Sequence, residues 1–155
     1  MNAQKILIAL SLDEDLLSSL HAWGKRFDWT HVSAVHFLHI VKKNVSPLEY
    51  GLIESPDDET FEEMKPSLEN YLKDEAPKII PTEFHPELSY HVVSDFFPDE
   101  ETVELLKKIG ADMVIVAPHE KQGIFHRSFT RHLIKTSPCD VYVVRPENHG
   151  SSRAD

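Results

Sequence analysis

The chain lacks several features that would assign it to a specialised class. It has one cysteine, Cys139, among its 155 residues, so no intramolecular disulfide can form and a reducing compartment is favoured. No apolar run approaches the roughly 20 residues that span a bilayer. The run from Ile6 to Leu10 is also too short for the core of a signal peptide. We therefore expect a cytoplasmic protein with no membrane association.

Positive charge is also scarce. Lys and Arg number 16 against 26 Asp and Glu, which gives a formal net charge of -10. So acidic a surface repels nucleic-acid backbones and anionic lipids, and we expect neither as a partner. Hydrophobic residues at 41% and charged residues at 27% are typical of a globular protein, and the length suits one domain. We place that domain at residues 1–146 and a flexible tail at 147–155.

Short runs rich in Val and Ile predict the strands. Four runs hardly alternate with polar residues, as expected of strands that are buried on both faces of a parallel sheet. They are Lys5–Leu10, Val32–Val41, Asp112–Ala117 and Val141–Arg145. A weaker candidate, Leu88–Val93, contains polar residues that indicate an edge strand.

Apolar residues at helical spacing fall between these runs and predict four helices. The stripes are Leu16, Leu20, Trp23 and Phe27; Phe61, Met64, Leu68 and Leu72; Val103, Leu106 and Ile109; and Phe125, Phe129, Leu133 and Ile134. Ser11 or Asp13 can cap the first helix. Pro98 suits the first position of the third helix, and Gly110 suits its end.

Prolines complicate the segment 44–84, which contains the second helix. Pro66 is expected to kink or split that helix, because proline lacks a backbone N–H and crowds the preceding turn. Pro77 and Pro81 are expected to end it. The path of this segment is the part of the fold that the sequence predicts least.

The alternation of strands and helices predicts an α/β fold with a single open, twisted, five-stranded parallel sheet and helices on both faces. In such sheets, ligands bind beyond the carboxyl ends of the strands, where the strand order reverses. The positions that follow Leu10, Ile40 and Ala117 are therefore the first candidates for a site.

Three segments resemble the universal stress protein family. They are KILIALSLDEDLLSSL at 5–20, VSAVHFLHIV at 32–41 and GADMVIVAPHEKQGIFHRSFTRHLIKTSPCDVYVVRP at 110–146. The resemblance leaves out residues 44–84, which correspond to the family's variable region. It implies a Rossmann-like sheet of order 3-2-1-4-5, similar to the adenine nucleotide alpha hydrolases. It also implies a homodimer, formed through the last strand at 141–145.

The ATP-binding branch of this family carries the pattern Gly-x2-Gly-x9-Gly-Ser/Thr after the fourth strand. This chain has Ala117 and Glu120 at the first two glycine positions, and Arg127 precedes Ser128 at the third. The loop is about three residues shorter than in that branch. Ser11 stands where the ATP-binding branch has Asp. The chain therefore resembles the universal stress protein A branch, which lacks the ATP motif.

The segment 119–135 is a basic exception in an acidic chain. Lys121, Arg127, Arg131 and Lys135 face only Glu120 as a negative charge, and His119, His126 and His132 can add positive charge at low pH. One interpretation is an anion or phosphate site at the start of a helix. The other is an ordinary solvated helix surface.

Metal and catalytic sites are not indicated by the sequence. His119 and His126 lack further ligands at metal-binding spacing, with no CxxC or HExxH motif. No Ser-His-Asp context surrounds Ser11 or Ser128. We expect no metal and no catalytic residue, and we expect at least one of His36 and His39 to be a hydrogen-bonded core residue.

Two principal functions remain open. The first is a dimeric stress-response binding or regulatory module with an anion site at the loop after the fourth strand. The second is an ATP- or AMP-binding protein with a divergent phosphate loop, for which slow hydrolysis stays open. An enzyme of the wider superfamily is a third and more distant reading. The candidate ligand-binding residues are Ser11, Ile40, Ala117, His119, Gly123, Arg127 and Ser128.

Overall fold

Five parallel strands form one sheet in the order β3-β2-β1-β4-β5. The computed structural model describes residues 3–11, 14–42, 58–95, 97–117 and 127–145. The strands are β1 (Gln4–Ala9), β2 (Val32–Lys42), β3 (Glu87–Asp95), β4 (Met113–Val116) and β5 (Asp140–Val143). The predicted fold class and strand order are confirmed, with β3 as an edge strand.

Four helices within the described residues cover both faces of this sheet. They are α1 (Glu14–Arg26), α2 (Asp58–Ile79), α3 (Pro98–Ile109) and α4 (Arg127–Thr136). Apolar residues of α1 and α2 pack with Ile6 and Ile8 of β1, whereas those of α3 and α4 pack with Leu7 and Ala9. Because successive residues of β1 point to opposite faces, both faces must be apolar, and this is why the strand shows no alternation.

The ends of α3 follow the sequence prediction closely. Pro98 is the first residue of the helix, where its missing N–H costs nothing. Gly110 adopts a left-handed conformation with φ of 68°, so that its amide donates to the carbonyl group of Lys107 and the amide of Ala111 donates to that of Leu106. A residue without a Cβ is favoured there, because the left-handed region is strained for other residues.

Pro66 does not split α2 and Pro77 does not end it, so these two expectations were wrong, whereas the helix does end at Ile79, two residues before Pro81, as expected of that proline. The helix runs continuously from Asp58 to Ile79 and contains both Pro66 and Pro77. A proline in a helix interior costs about 3 kcal/mol. Leu72 and Ile79 of α2 are almost completely buried, and each such side chain contributes about 1.5–3 kcal/mol. Phe61 and Ala76 of the same helix are buried as well, so burial of the apolar face is of the size needed to offset the cost of the two prolines, about 6 kcal/mol.

One member of a predicted apolar stripe lies outside the core. Phe129 and Leu133 of α4 are buried as expected, but Ile134 is 57% exposed. Adjacent helix positions are rotated by about 100° around the axis, so Leu133 and Ile134 cannot both face the sheet. Phe125, the first residue of this predicted stripe, lies outside the described residues.

Helices α1 and α2 approach each other closely at Gly24. A Cβ atom on Gly24 would clash with the carbonyl oxygen of Ile79 at the end of α2. The carbonyl oxygen of Gly24 accepts a hydrogen bond of 2.8 Å from Nε1 of the buried Trp29. The absence of a side chain at position 24 thus sets the distance between the two helices on this face.

We predict that Gly24→Ala lowers the free energy of unfolding by about 3 kcal/mol, because the new methyl group would displace backbone rather than a flexible side chain. Ser18→Ala on the exposed side of the same helix is the control and should change stability by less than about 0.5 kcal/mol. Urea denaturation of both variants measures the difference. Equal stabilities would show that the close approach at Gly24 is not a constraint.

Candidate functional site

The carboxyl ends of β2, β1 and β4 lie side by side along one edge of the sheet. The chain proceeds from β1 to β2 and β3 on one side, and then returns to place β4 and β5 on the other. The strand order therefore reverses between β1 and β4, and this is where open α/β sheets bind ligands. Leu10 and Ala117 follow these two strands at the reversal point, and both are buried.

The sequence-predicted site residues at this edge differ in whether their side chains are accessible to a ligand. Ser11 is half-buried directly after Leu10, whereas Ala117 is a core residue with 3% exposure. Ile40 is completely buried and precedes the end of β2 at Lys42, so only its backbone is available to a ligand. β2 therefore ends at Lys42, one residue beyond the end of its apolar run.

The remaining candidates belong to the β4–α4 connection. Arg127 and Ser128 are the first residues of α4, so their backbone N–H groups lie at the amino end of a ten-residue helix. His119 and Gly123 lie outside the described residues, as do Glu120, Lys121 and His126. The predicted anion site therefore remains a prediction, with the start of α4 as its described part.

A buried histidine holds the end of β1. Nδ1 of His39 donates a hydrogen bond of 2.9 Å to the carbonyl oxygen of Leu10, and His39 is only 7% exposed. Because the acceptor is a carbonyl group, Nδ1 must carry the proton in the neutral ring. Burial lowers the pKa of His39, although the hydrogen bond to Leu10 opposes this shift. The expectation of a hydrogen-bonded core histidine in β2 is confirmed.

A tyrosine of α2 forms a hydrogen bond with the carbonyl group of the residue after Leu10. The hydroxyl of Tyr71 donates a hydrogen bond of 3.1 Å to the carbonyl oxygen of Ser11. Burial, with the carboxylates of Glu75 and Glu14, raises the pKa of Tyr71 well above its ordinary value, so the hydroxyl remains a donor. Tyr71 is not among the sequence-predicted site residues, because it lies in the segment whose path could not be predicted. Its place beside Leu72 in an apolar stripe was the available signal.

The two long sides of α4 have different electrostatic surroundings. Arg131 and Lys135 are exposed. Nε2 of His132, however, lies 3.5 Å from Oδ2 of Asp99 on α3. A cavity of about 370 Å³ adjoins this pair and is lined by Asp95, Glu100, Glu101, Val103, Glu104, His132 and Thr136. His132 therefore faces an acidic wall and does not add to the positive surface that the sequence suggested.

The acidic wall holds its carboxyl groups close together. Desolvation raises the pKa of Glu101, and a side-chain hydrogen bond with Asp95 and the charges of Asp95 and Glu104 raise it further. Lys108 partly offsets these effects. The side of α4 that faces α3 is thus a region of negative potential.

The described part of the chain also gives information on membrane-spanning helices and on metal sites. It holds no helix with the length and apolar character needed to cross a membrane. It also holds no group of three or more His, Cys, Asp or Glu side chains arranged for a metal ion. Burial raises the pKa of the Cys139 thiol, which therefore stays protonated and is a poor nucleophile.

We predict that the His39 hydrogen bond makes stability depend on pH. As the pH falls from 7 to 5, unfolded His39 binds a proton near its usual pKa of about 6.5, whereas buried His39 resists protonation. The unfolded state then binds more protons, so the free energy of unfolding decreases over this range. His39→Asn retains a donor without an ionisable ring and should flatten the dependence. His31→Asn, at an exposed position, is the control.

Urea denaturation at pH 5, 6 and 7 measures the three slopes. A His39→Asn protein with the slope of the unsubstituted chain would show that protonation of His39 does not contribute.

Comparisons with known proteins agree with this architecture. No curated protein matches the chain in sequence. Among solved structures, the hypothetical protein MJ0577 is 20% identical with a TM-score of 0.69, covering 96% of this chain and 99% of its own. Universal stress protein UspA from Lactobacillus plantarum is 14% identical with a TM-score of 0.64, covering 94% and 99%. At these identities the likeness establishes the fold.

A third structure, from Arabidopsis thaliana, is a universal stress protein family protein with AMP bound. It is 13% identical with a TM-score of 0.58, and the match covers 93% of this chain and 92% of that one. The family assignment itself comes from sequence, because the model of the Universal stress protein family matches residues 2–145. With that match over nearly its whole length, the chain belongs to the universal stress protein family.

Proposed function

We propose that this chain is a cytoplasmic stress-response binding and regulatory module that takes a small phosphate-bearing molecule at the carboxyl edge of its sheet. The observation that carries this proposal is the position of the reversal point, where the buried end of β1 and the end of β4 lie side by side. The β4–α4 connection leads from this point to the start of α4. Ligands of open α/β sheets bind at such a point.

The start of α4 supplies the attraction for an anion. The first N–H groups of a helix have no partner within the helix, and the helix dipole adds positive potential there. Arg127 is the first residue of α4, and its first turn contains no acidic residue. A guanidinium group together with the backbone N–H groups at a helix start suits a phosphate or similar oxyanion.

The same region lacks the features that favour a triphosphate. Ala117 occupies a glycine position of the ATP-binding pattern, and it is packed into the core. Glu120 occupies another glycine position and would place negative charge near a polyphosphate. We therefore propose that the chain binds anions of low charge, and that it resembles the universal stress protein A branch in lacking the standard ATP motif.

AMP is the second candidate, and it is favoured by the AMP-bound structure from Arabidopsis thaliana. In this arrangement backbone atoms near Ile40 would face the base. Ser11 would line the pocket beside His119, and the groups facing the phosphate would be Gly123, Arg127 and Ser128. The bonds from His39 and Tyr71 fix the carbonyl groups of Leu10 and Ser11, so this wall of the pocket is preorganised.

We predict that inorganic phosphate or AMP raises the melting temperature of the protein more than ATP does. A ligand at 100 times its dissociation constant adds about 2.7 kcal/mol, which corresponds to roughly 5–10 °C for a domain of this size. Arg127→Ala should weaken binding about tenfold, because one charge-assisted hydrogen bond is lost. Lys135→Ala in the last turn of the same helix is the matched control.

Differential scanning fluorimetry with phosphate, AMP and ATP makes the comparison. No stabilisation by any of the three would contradict the proposal. Equal binding by the Arg127 and Lys135 variants would mean that the basic residues form only a solvated surface.

The β5 edge of the sheet suits pairing with a second copy of the chain. Among the residues that the structure describes, β5 pairs with β4 alone. Its Tyr142 is 45% exposed, and the centroid of the Tyr142 ring lies 6.0 Å from that of Trp23. An apolar edge strand with unpaired backbone groups must be covered to avoid open-ended association. Pairing of residues 141–145 about a two-fold axis would cover it in a closed dimer.

We predict that Tyr142→Glu converts the dimer to a monomer, because it places two like charges close together across the two-fold axis. Leu88→Glu is the matched control, since Leu88 is 39% exposed on β3 at the opposite edge of the sheet. Light scattering at micromolar concentration measures the mass of each protein. A monomeric unsubstituted protein, or dissociation by the Leu88 substitution alone, would refute dimerisation through β5.

A further inference from the structure

Two histidines face each other across β2 and β3, away from the carboxyl edge. Nδ1 of His36 lies 2.9 Å from Nε2 of His91, and the stacked rings have centroids 5.2 Å apart. In the β2–β3 register, His36 pairs with Ser89 and Leu38 pairs with His91, so the histidines are diagonal neighbours. Both side chains are half-buried, so one side of the pair remains accessible to solvent.

The surroundings of this pair favour uncharged imidazoles. Burial lowers the pKa of His36, Lys5 of β1 lowers it further, and Glu87 of β3 opposes them. Burial also lowers the pKa of His91, with additional contributions from His36 and from Lys108 of α3. A transition metal ion binds an unprotonated imidazole nitrogen, and the two facing nitrogens of this pair lie close enough together to bind one ion.

We propose that His36 and His91 form a two-imidazole chelate for a divalent late transition metal ion, Cu²⁺ or Ni²⁺. Metal–nitrogen bonds are about 2.0–2.1 Å long, and two nitrogens bound at a right angle lie about 2.9 Å apart. The separation of the two ring nitrogens equals this value. Imidazole suits these ions, and right-angled ligands are found in their tetragonal geometry, with water completing the coordination.

Metal binding changes the tautomer of one ring and not its charge. In the metal-free pair, the N–H group of one facing nitrogen donates a hydrogen bond to the other nitrogen. When the ion enters, this proton moves to the distal nitrogen of the same ring, and both facing nitrogens present lone pairs. The positive charges of Lys5 and Lys108 oppose the ion, and Glu87 favours it, so we expect modest affinity.

The proposed metal site lies in a different part of the sheet from the candidate anion site. His36 pairs with Leu7 in the middle of β1, whereas the candidate anion site lies beyond the end of that strand. A metal ion bound to His36 and His91 would cross-link β2 to the edge strand β3. Its binding should therefore stabilise the fold and leave phosphate binding unchanged.

Isothermal titration calorimetry of the full chain with Cu²⁺ or Ni²⁺ tests this proposal. We expect one site that is lost in both His36→Asn and His91→Asn, each with an affinity at least about 100-fold lower, because joining two ligands in one site gains this much. The double variant should bind no more weakly than either single variant. His31→Asn, which removes an exposed histidine, should retain the site. Mg²⁺, which prefers oxygen ligands, should not bind there.

Retention of the strongest site in either single variant would overturn the proposal, as would binding of Mg²⁺ to the same site. Electron paramagnetic resonance of the copper-loaded, unsubstituted protein supplies a second measurement that needs no substitution. Two coordinated imidazole nitrogens support the chelate, and fewer than two overturn it. This spectrum decides the question if either variant fails to fold.

Discussion

The two-sided burial of β1 is the constraint on which the rest of the structure depends. Ile6, Leu7 and Ile8 are completely buried, so the strand must have a sheet neighbour on each side and helices on each face. Only a central position in a covered sheet satisfies this requirement. Once β1 is central, the later strands must be divided between its two sides, and right-handed crossovers in opposite directions then place helices on opposite faces of the sheet. The reversal of strand order is therefore a consequence of where the apolar residues lie.

The carboxyl edge of the sheet, where the candidate site lies, is also held in place at this strand. Where β1 leaves the core, its last carbonyl groups must find donors, because unpaired buried polar groups are costly. His39 and Tyr71 provide these donors from two different elements, β2 and α2. The wall beside the reversal point is thus held by polar contacts within the protein itself. Binding there would therefore not lose free energy to the ordering of this wall.

Local patterns sufficed for the strands and for both ends of α3, because each depends on residues close in sequence. Pro66 was misjudged because its cost is local, whereas the burial that compensates for it involves contacts with other elements. Ile134 was misassigned because apolar character alone does not specify which side of α4 faces the sheet. For the site, the sequence predicted the edge and the backbone segments. It could not predict Tyr71 or the acidic neighbours of His132, which depend on how helices pack.

The acidic wall along α4 also has a consequence for any anion held at the start of that helix. Four carboxylate side chains line the cavity between α3 and α4. His132, which lines this cavity, lies five residues or about 7.5 Å along α4 from its first residue, so the nearest part of the acidic wall is within one Debye length, about 8 Å, of the amino end of the helix. A ligand that gains attraction from the first turn also meets repulsion that grows with its own charge. The fold would in this way discriminate among anions by the number of charges they carry.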